Sequence, residues 1–108
     1  MKQTFIVKHA VGGRIFIDTN KQDVSYSVIP EGEGWRFTVS VPWSEGIEEL
    51  LARKEELNVF VFQEFDDQPT LKTWYYVKNG PVEYDAGQSQ LTIVADSRIE
   101  YYPHLYST

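Results

Sequence analysis

Apolar and polar positions alternate with a two-residue period through most of the chain. Between Trp35 and Val41 the period is clearest: Trp35, Phe37, Val39 and Val41 fall on one side, Arg36, Thr38 and Ser40 on the other. That is the signature of a half-buried strand. Val24, Tyr26 and Val28 alternate with Ser25 and Ser27 in the same way. Thr4–Ala10 and Arg14–Thr19 are two further β-type runs, split by Gly12-Gly13, a pair suited to a tight hairpin. Asn20–Asp23 and Pro30–Gly34 supply the next turns, and Pro42 stops the run from Trp35.

The period then changes. Ile47, Leu50, Leu51, Lys54 and Leu57 share one stripe, with Glu48, Glu49, Arg53, Glu55 and Glu56 outside it. This predicts an amphipathic helix over 44–57, capped by Ser44, with Glu45 at its positive end and Asn58 as its stop. Val59–Phe65 follows as a strand that is apolar on both faces, the pattern of a central strand covered on both sides. Leu71–Val77 is next, with Leu71, Thr73, Tyr75 and Val77 on one face and Lys72, Trp74 and Tyr76 on the other. Lys78-Asn79-Gly80-Pro81 turns the chain into Val82–Tyr84; Leu91–Ala95 is a further strand, and Ile99–Tyr102 an edge segment. The expectation is one α+β domain over 1–108: a curved, mostly antiparallel sheet of about seven or eight strands, in the order ββββ-α-βββ(β), with the helix packed on one face.

Such a sheet has one face too many. A single narrow helix covers one side, yet Val59–Phe65 and Leu71–Val77 carry apolar or aromatic side chains on both. Trp74 and Tyr76 are therefore the leading candidates for contact with a partner, since Trp and Tyr are the side chains most favoured at binding hot spots. The acidic turns at Glu31, Glu33, Asp66 and Asp67 are candidates for orienting it. A second candidate is a pocket between helix and sheet lined by Trp35, Phe37 and Tyr75. The run Tyr101-Tyr102-Pro103-His104-Leu105-Tyr106 is expected to pack on the sheet or across a dimer interface.

Composition narrows the chemistry. With 42% hydrophobic and 15% aromatic residues the chain is too apolar for disorder. It contains no cysteine, which removes disulfides, thiolate nucleophiles and cysteine-ligated metals. The apolar run Phe5–Val7 is closed at once by Lys8 and His9, and no window approaches the roughly 18 apolar residues of a membrane span, so a cytoplasmic protein without a membrane segment is expected. Asp and Glu total 16 against 10 for Lys and Arg, a formal charge of −6. Scattered basic residues on an acidic chain argue against nucleic acid as a partner.

No catalytic constellation stands out. His9 and His104 have no evident partners. Two distant histidines give no metal spacing, and the carboxylates of Glu64, Asp66 and Asp67 do not follow a calcium-loop pattern. Gly12-Gly13 and Gly32-x-Gly34 precede strands, not helices, so neither is a phosphate loop. No serine lies in a Gly-x-Ser-x-Gly turn. Neither metal nor cofactor is expected. The size, acidity and strand-rich layout resemble those of small bacterial and phage proteins, including toxin-neutralising immunity proteins and inhibitors that mimic nucleic-acid charge. The likeness lies in gross properties and transfers no residue roles. Three functions fit: a non-catalytic protein-interaction module, whose partner is another protein or a second copy in a homodimer; a small-ligand-binding domain or enzyme; and an acidic inhibitor of a basic partner, whose carboxylates would gather on one face.

Overall fold

The structure is a computed structural model and describes residues 2–78 and 80–103. Asn79, in the turn expected before Pro81, and His104–Tyr106, in the Tyr-rich tail, lie outside the described residues. Nine strands and one helix are described: β1 (Lys2–His9), β2 (Ile15–Asp18), β3 (Ser25–Glu31), β4 (Gly34–Ser40), α1 (Glu45–Ala52), β5 (Leu57–Glu64), β6 (Leu71–Val77), β7 (Val82–Asp85), β8 (Gln90–Ala95) and β9 (Ser97–Tyr101).

The class is α+β as expected, but the strands form two antiparallel sheets, not one curved sheet. One has five strands in the order β2-β1-β5-β6-β9; the other has four in the order β3-β4-β8-β7. The reason lies at the bends. β8 and β9 are one nearly continuous run bent at Asp96, whose amide donates to the Tyr76 carbonyl while its carboxylate accepts from the Lys78 amide. The chain thereby leaves one sheet and enters the other. β6 and β7 lie in different sheets, so the chain also crosses between Val77 and Val82, in the opposite sense.

The two sheets bury their facing sides against each other. Phe5, Val7, Val59, Val61, Tyr75 and Val77 from the five-stranded sheet meet Phe37, Val39, Leu91, Ile93 and Ala95 from the four-stranded one, all buried. The facing strands cross. Trp35, near the start of β4, meets Tyr75 of β6 and lies under Arg98 of β9; Phe37 meets Tyr75 and Phe5 of β1; and α1, which follows β4, packs beside β2. β4 thus runs over the strands of the other sheet, as in sandwiches whose corners are made by strands that switch sheets.

The helix is shorter than the apolar stripe suggests. Ser44 caps it, its hydroxyl accepting from the Ile47 amide, and Glu45 and Glu48 occupy the first turn. It ends at Arg53, and Leu57 belongs to β5. Leu57 pairs with His9 on one side and Val77 on the other, and is buried between the sheets. A strand position satisfies its apolar demand more fully than a fifth helical contact. Ile47 and Leu50 are the buried helix residues and plug the core beside β2; the helix does not cover a sheet face. Among the described residues, no helix is long and apolar enough to cross a membrane.

Candidate functional site

Because successive strand residues point to opposite sides, the residues between those of the core face outward. Strand pairing lines them up in three rows across β1, β5, β6 and β9: Thr4–Phe62–Lys72–Tyr101, Ile6–Phe60–Trp74–Ile99, and Lys8–Asn58–Tyr76–Ser97. The rings touch. Centroids of Trp74 and Tyr76 are 4.7 Å apart, those of Phe60 and Trp74 5.6 Å, and those of Phe60 and Phe62 6.5 Å. The ammonium of Lys72 lies 4.4 Å from the Phe60 centroid, 5.3 Å from that of Phe62 and 5.5 Å from that of Tyr101. A cation over aromatic rings is held electrostatically by their quadrupoles.

None of these aromatic side chains is fully buried, and Ile99 is 49% exposed. At the β2 edge of this face Thr4 and Asp18, which stands opposite Ile6, are buried, with Asn20 hydrogen-bonded to both; Glu64, opposite Lys2, continues the face one row beyond Phe62. The sequence pattern marks β5 as covered on both sides; the structure covers only the side of Val59 and Val61, and Phe60 and Phe62 are half-buried by their own neighbours in the sheet. The indole nitrogen of Trp74 is shielded from solvent and has no hydrogen-bond partner among the described residues. A buried donor left unpaired typically costs about 1–3 kcal/mol.

The other predicted residues go elsewhere. Asp66 and Asp67 lie in the exposed turn between β5 and β6, at one end of the aromatic rows. Glu31 and Glu33 sit at the β3–β4 turn of the other sheet, where Glu31 is 2.9 Å from Arg36. The structure therefore brings Trp74 and Tyr76 together, and places the two acidic turns on different sheets. Trp35, Phe37 and Tyr75 do meet, Phe37 and Tyr75 edge-on at 4.7 Å, but they fill the core rather than line a space beneath the helix. Beside them a cleft of about 380 Å³ opens between β3 and the five-stranded sheet, with Gln3, Gln63, Thr73 and Arg98 on its walls. Arg98 already spends its guanidinium there: 4.5 Å over Trp35, 3.3 Å from the Tyr75 hydroxyl and 3.6 Å from Glu100.

His9 is engaged at both ring nitrogens. Its Nδ1 accepts from the Gly12 amide at 3.1 Å, so Nε2 carries the proton and donates to Glu56 at 3.0 Å. No lone pair is left to act as a base. Carboxylates are spread over both acidic turns, the helix, Glu55-Glu56, β7 and β9 rather than gathered on one face. Among the described residues, no three His, Asp or Glu side chains are grouped to hold a metal ion.

Phe60, Phe62 and Lys72 were not singled out by the sequence, although Lys72 shares the phase of Trp74 and Tyr76; Tyr101, from the run expected on the sheet or a dimer interface, is the last residue of β9 and pairs with Lys72. The missing signal was which side of the sheet the second layer would take. No protein-family model, curated protein or solved structure matches the chain.

Proposed function

We propose that this chain is a non-catalytic module that binds a partner protein through the outer face of its five-stranded sheet. The observation that supports it is the contiguous surface formed by Ile6, Phe60, Phe62, Trp74, Tyr76, Ile99 and Tyr101, none of which is fully buried. Isolated exposed apolar residues are ordinary on protein surfaces; contiguous patches mark interfaces. Large aromatic side chains held by a sheet lose little conformational freedom on binding, which is why such residues dominate interface energetics. The rows are anchored from behind by a closed core, so the surface is preorganised rather than assembled on contact. The test is the double substitution Trp74→Ala/Tyr76→Ala, with the native fold confirmed by circular dichroism. Partner capture from the native host should fall by tenfold or more, equivalent to a loss of about 1.4 kcal/mol or greater. Unchanged capture by the folded variant would place the binding surface elsewhere.

A further inference from the structure

We infer that two copies of this chain pair through the free edge of β9, antiparallel and centred on Ile99, so that their five-stranded sheets join into one. Such pairing leaves the aromatic face open and is independent of what that face binds. β9 closes the five-stranded sheet: β6 pairs with one side of it, and no strand of the described residues pairs with the other. Ser97, Arg98, Ile99 and Glu100 are all exposed, Ile99 on the aromatic side beside Trp74. The open edge of a strand is a row of backbone donors and acceptors, a template for another strand. The other three edges are blunted: β2 lies against α1, β3 holds Pro30, and β7 is short and carries Glu83 and Asp85.

The order of charges along β9 fits a second copy. Arg98 and Glu100 flank Ile99 and stand opposite Tyr75 and Thr73 of β6, on the inner side. Inward charges on an edge strand ordinarily repel a foreign strand. Under a twofold axis, opposed side chains of an antiparallel pair stay on one side of the sheet, so each register sets one residue opposite itself. Centred on Ile99, all of β9 pairs, and each Arg98 faces Glu100 of the second copy. Centred on Arg98, arginine faces arginine; centred on Glu100, glutamate faces glutamate; and both registers pair fewer residues. Opposite charges across a strand pair attract and like charges repel, so one register is selected and its neighbours are excluded. The charges are positioned before the copies meet: Arg98 lies over Trp35, 3.3 Å from the Tyr75 hydroxyl and 3.6 Å from Glu100 of its own chain. At the axis the two Ile99 side chains cover each other. The row Ile6–Phe60–Trp74–Ile99 then runs on in reverse through the second copy, so the aromatic face is presented twice on one surface, as avidity requires. A five-residue strand buries little area, which makes the association weak and concentration-dependent.

The chain has no cysteine, so Ile99→Cys is a clean probe of the axis. Opposed Cα atoms of an antiparallel pair are about 4.5–5.5 Å apart, within the roughly 4.4–6.8 Å that a disulfide spans. Under mild oxidation Ile99→Cys should form a covalent dimer about tenfold faster or more than Ile29→Cys, which replaces an exposed isoleucine on an edge strand of the other sheet. Adding Glu100→Arg to Ile99→Cys sets arginine against arginine twice and should slow the crosslink about tenfold or more. This arm keeps Arg98, whose loss would also uncover Trp35. In sedimentation velocity from about 5 to about 500 μM, a range suited to a weak interface, the unaltered chain should shift towards dimer. Arg98→Glu and Glu100→Arg should each stay monomeric, and an equimolar mixture of the two should dimerise again, a rescue that a damaged fold would not give. Equal crosslinking at the two cysteine positions, or an unaltered chain that stays monomeric throughout, would overturn the pairing. Crosslinking that Glu100→Arg leaves unchanged, or a mixture that stays monomeric, would overturn the register and the inference with it. None of these measurements touches Trp74 or Tyr76, so this inference and the proposed partner face fail separately.

Discussion

Tyr75 and Tyr76 are adjacent in sequence and identical in kind, yet they point to opposite sides of β6. Truncating each to alanine measures the two sides directly. Tyr75 is 4% exposed, stands edge-on to Phe37 and Trp35, and accepts from Arg98. Its removal opens a cavity between two sheets that cannot close on it, and large aromatic-to-alanine changes in such cores cost about 3–5 kcal/mol. Tyr76 is half-buried on the outer face, with Trp74 as its ring neighbour. Water fills the space it leaves, so the loss is part of one aromatic contact and some apolar burial, about 1 kcal/mol. For 108 residues the entropy of unfolding is about 0.23 kcal/mol/K, so 1 kcal/mol moves Tm by about 4 °C. Tyr75→Ala should therefore lower Tm by about 13 °C or more, and Tyr76→Ala by about 4 °C. Urea unfolding followed by circular dichroism gives the same comparison as free energies, with equal slopes confirming that both variants unfold in the same way. Equal losses in the two variants would refute the reasoning, because they would mean that protein covers both sides of β6.

Two further outcomes follow from single positions. A Cβ at Gly34 would run into the carbonyl of Ala95 on the neighbouring strand, whereas one at Gly32 meets nothing, despite a φ of +59°. Gly34→Ala should cost about 2–3 kcal/mol by forcing β4 and β8 apart, against about 1 kcal/mol of backbone strain for Gly32→Ala; urea midpoints in which Gly34→Ala is the milder change would contradict the pairing of these strands. Burial, and secondarily the neighbouring Tyr75, raise the Tyr26 hydroxyl above its ordinary value of 10.0. The folded chain then keeps a proton that the unfolded chain releases, so the contribution of Tyr26 is intact below about pH 10 and is lost as pH rises through its folded value. Tyr26→Phe should flatten the alkaline decline of Tm, and an unchanged alkaline slope would show that Tyr26 is not the group responsible.

The local pattern of this fold was legible because its causes are local. The alternation at Trp35–Val41 became β4 with its odd residues inward, and the phase of Val24, Tyr26 and Val28 became the inner side of β3. Ser44 capped the helix because a side-chain oxygen at that position answers an amide three residues ahead. The division into two sheets was not legible, because it depends on where pairing is broken. Nothing in Val94-Ala95-Asp96-Ser97 distinguishes a bend between sheets from the middle of one long strand; the distinction arises only when Asp96 meets Tyr76 and Lys78. The helix end was misleading for a related reason. Leu57 fits the helical period, but its burial opposite Val77 is a tertiary gain that no window of the sequence contains. For the site, the alternation separated Lys72, Trp74 and Tyr76 from Tyr75 and Val77; only the position of the four-stranded sheet decided which group was left outside.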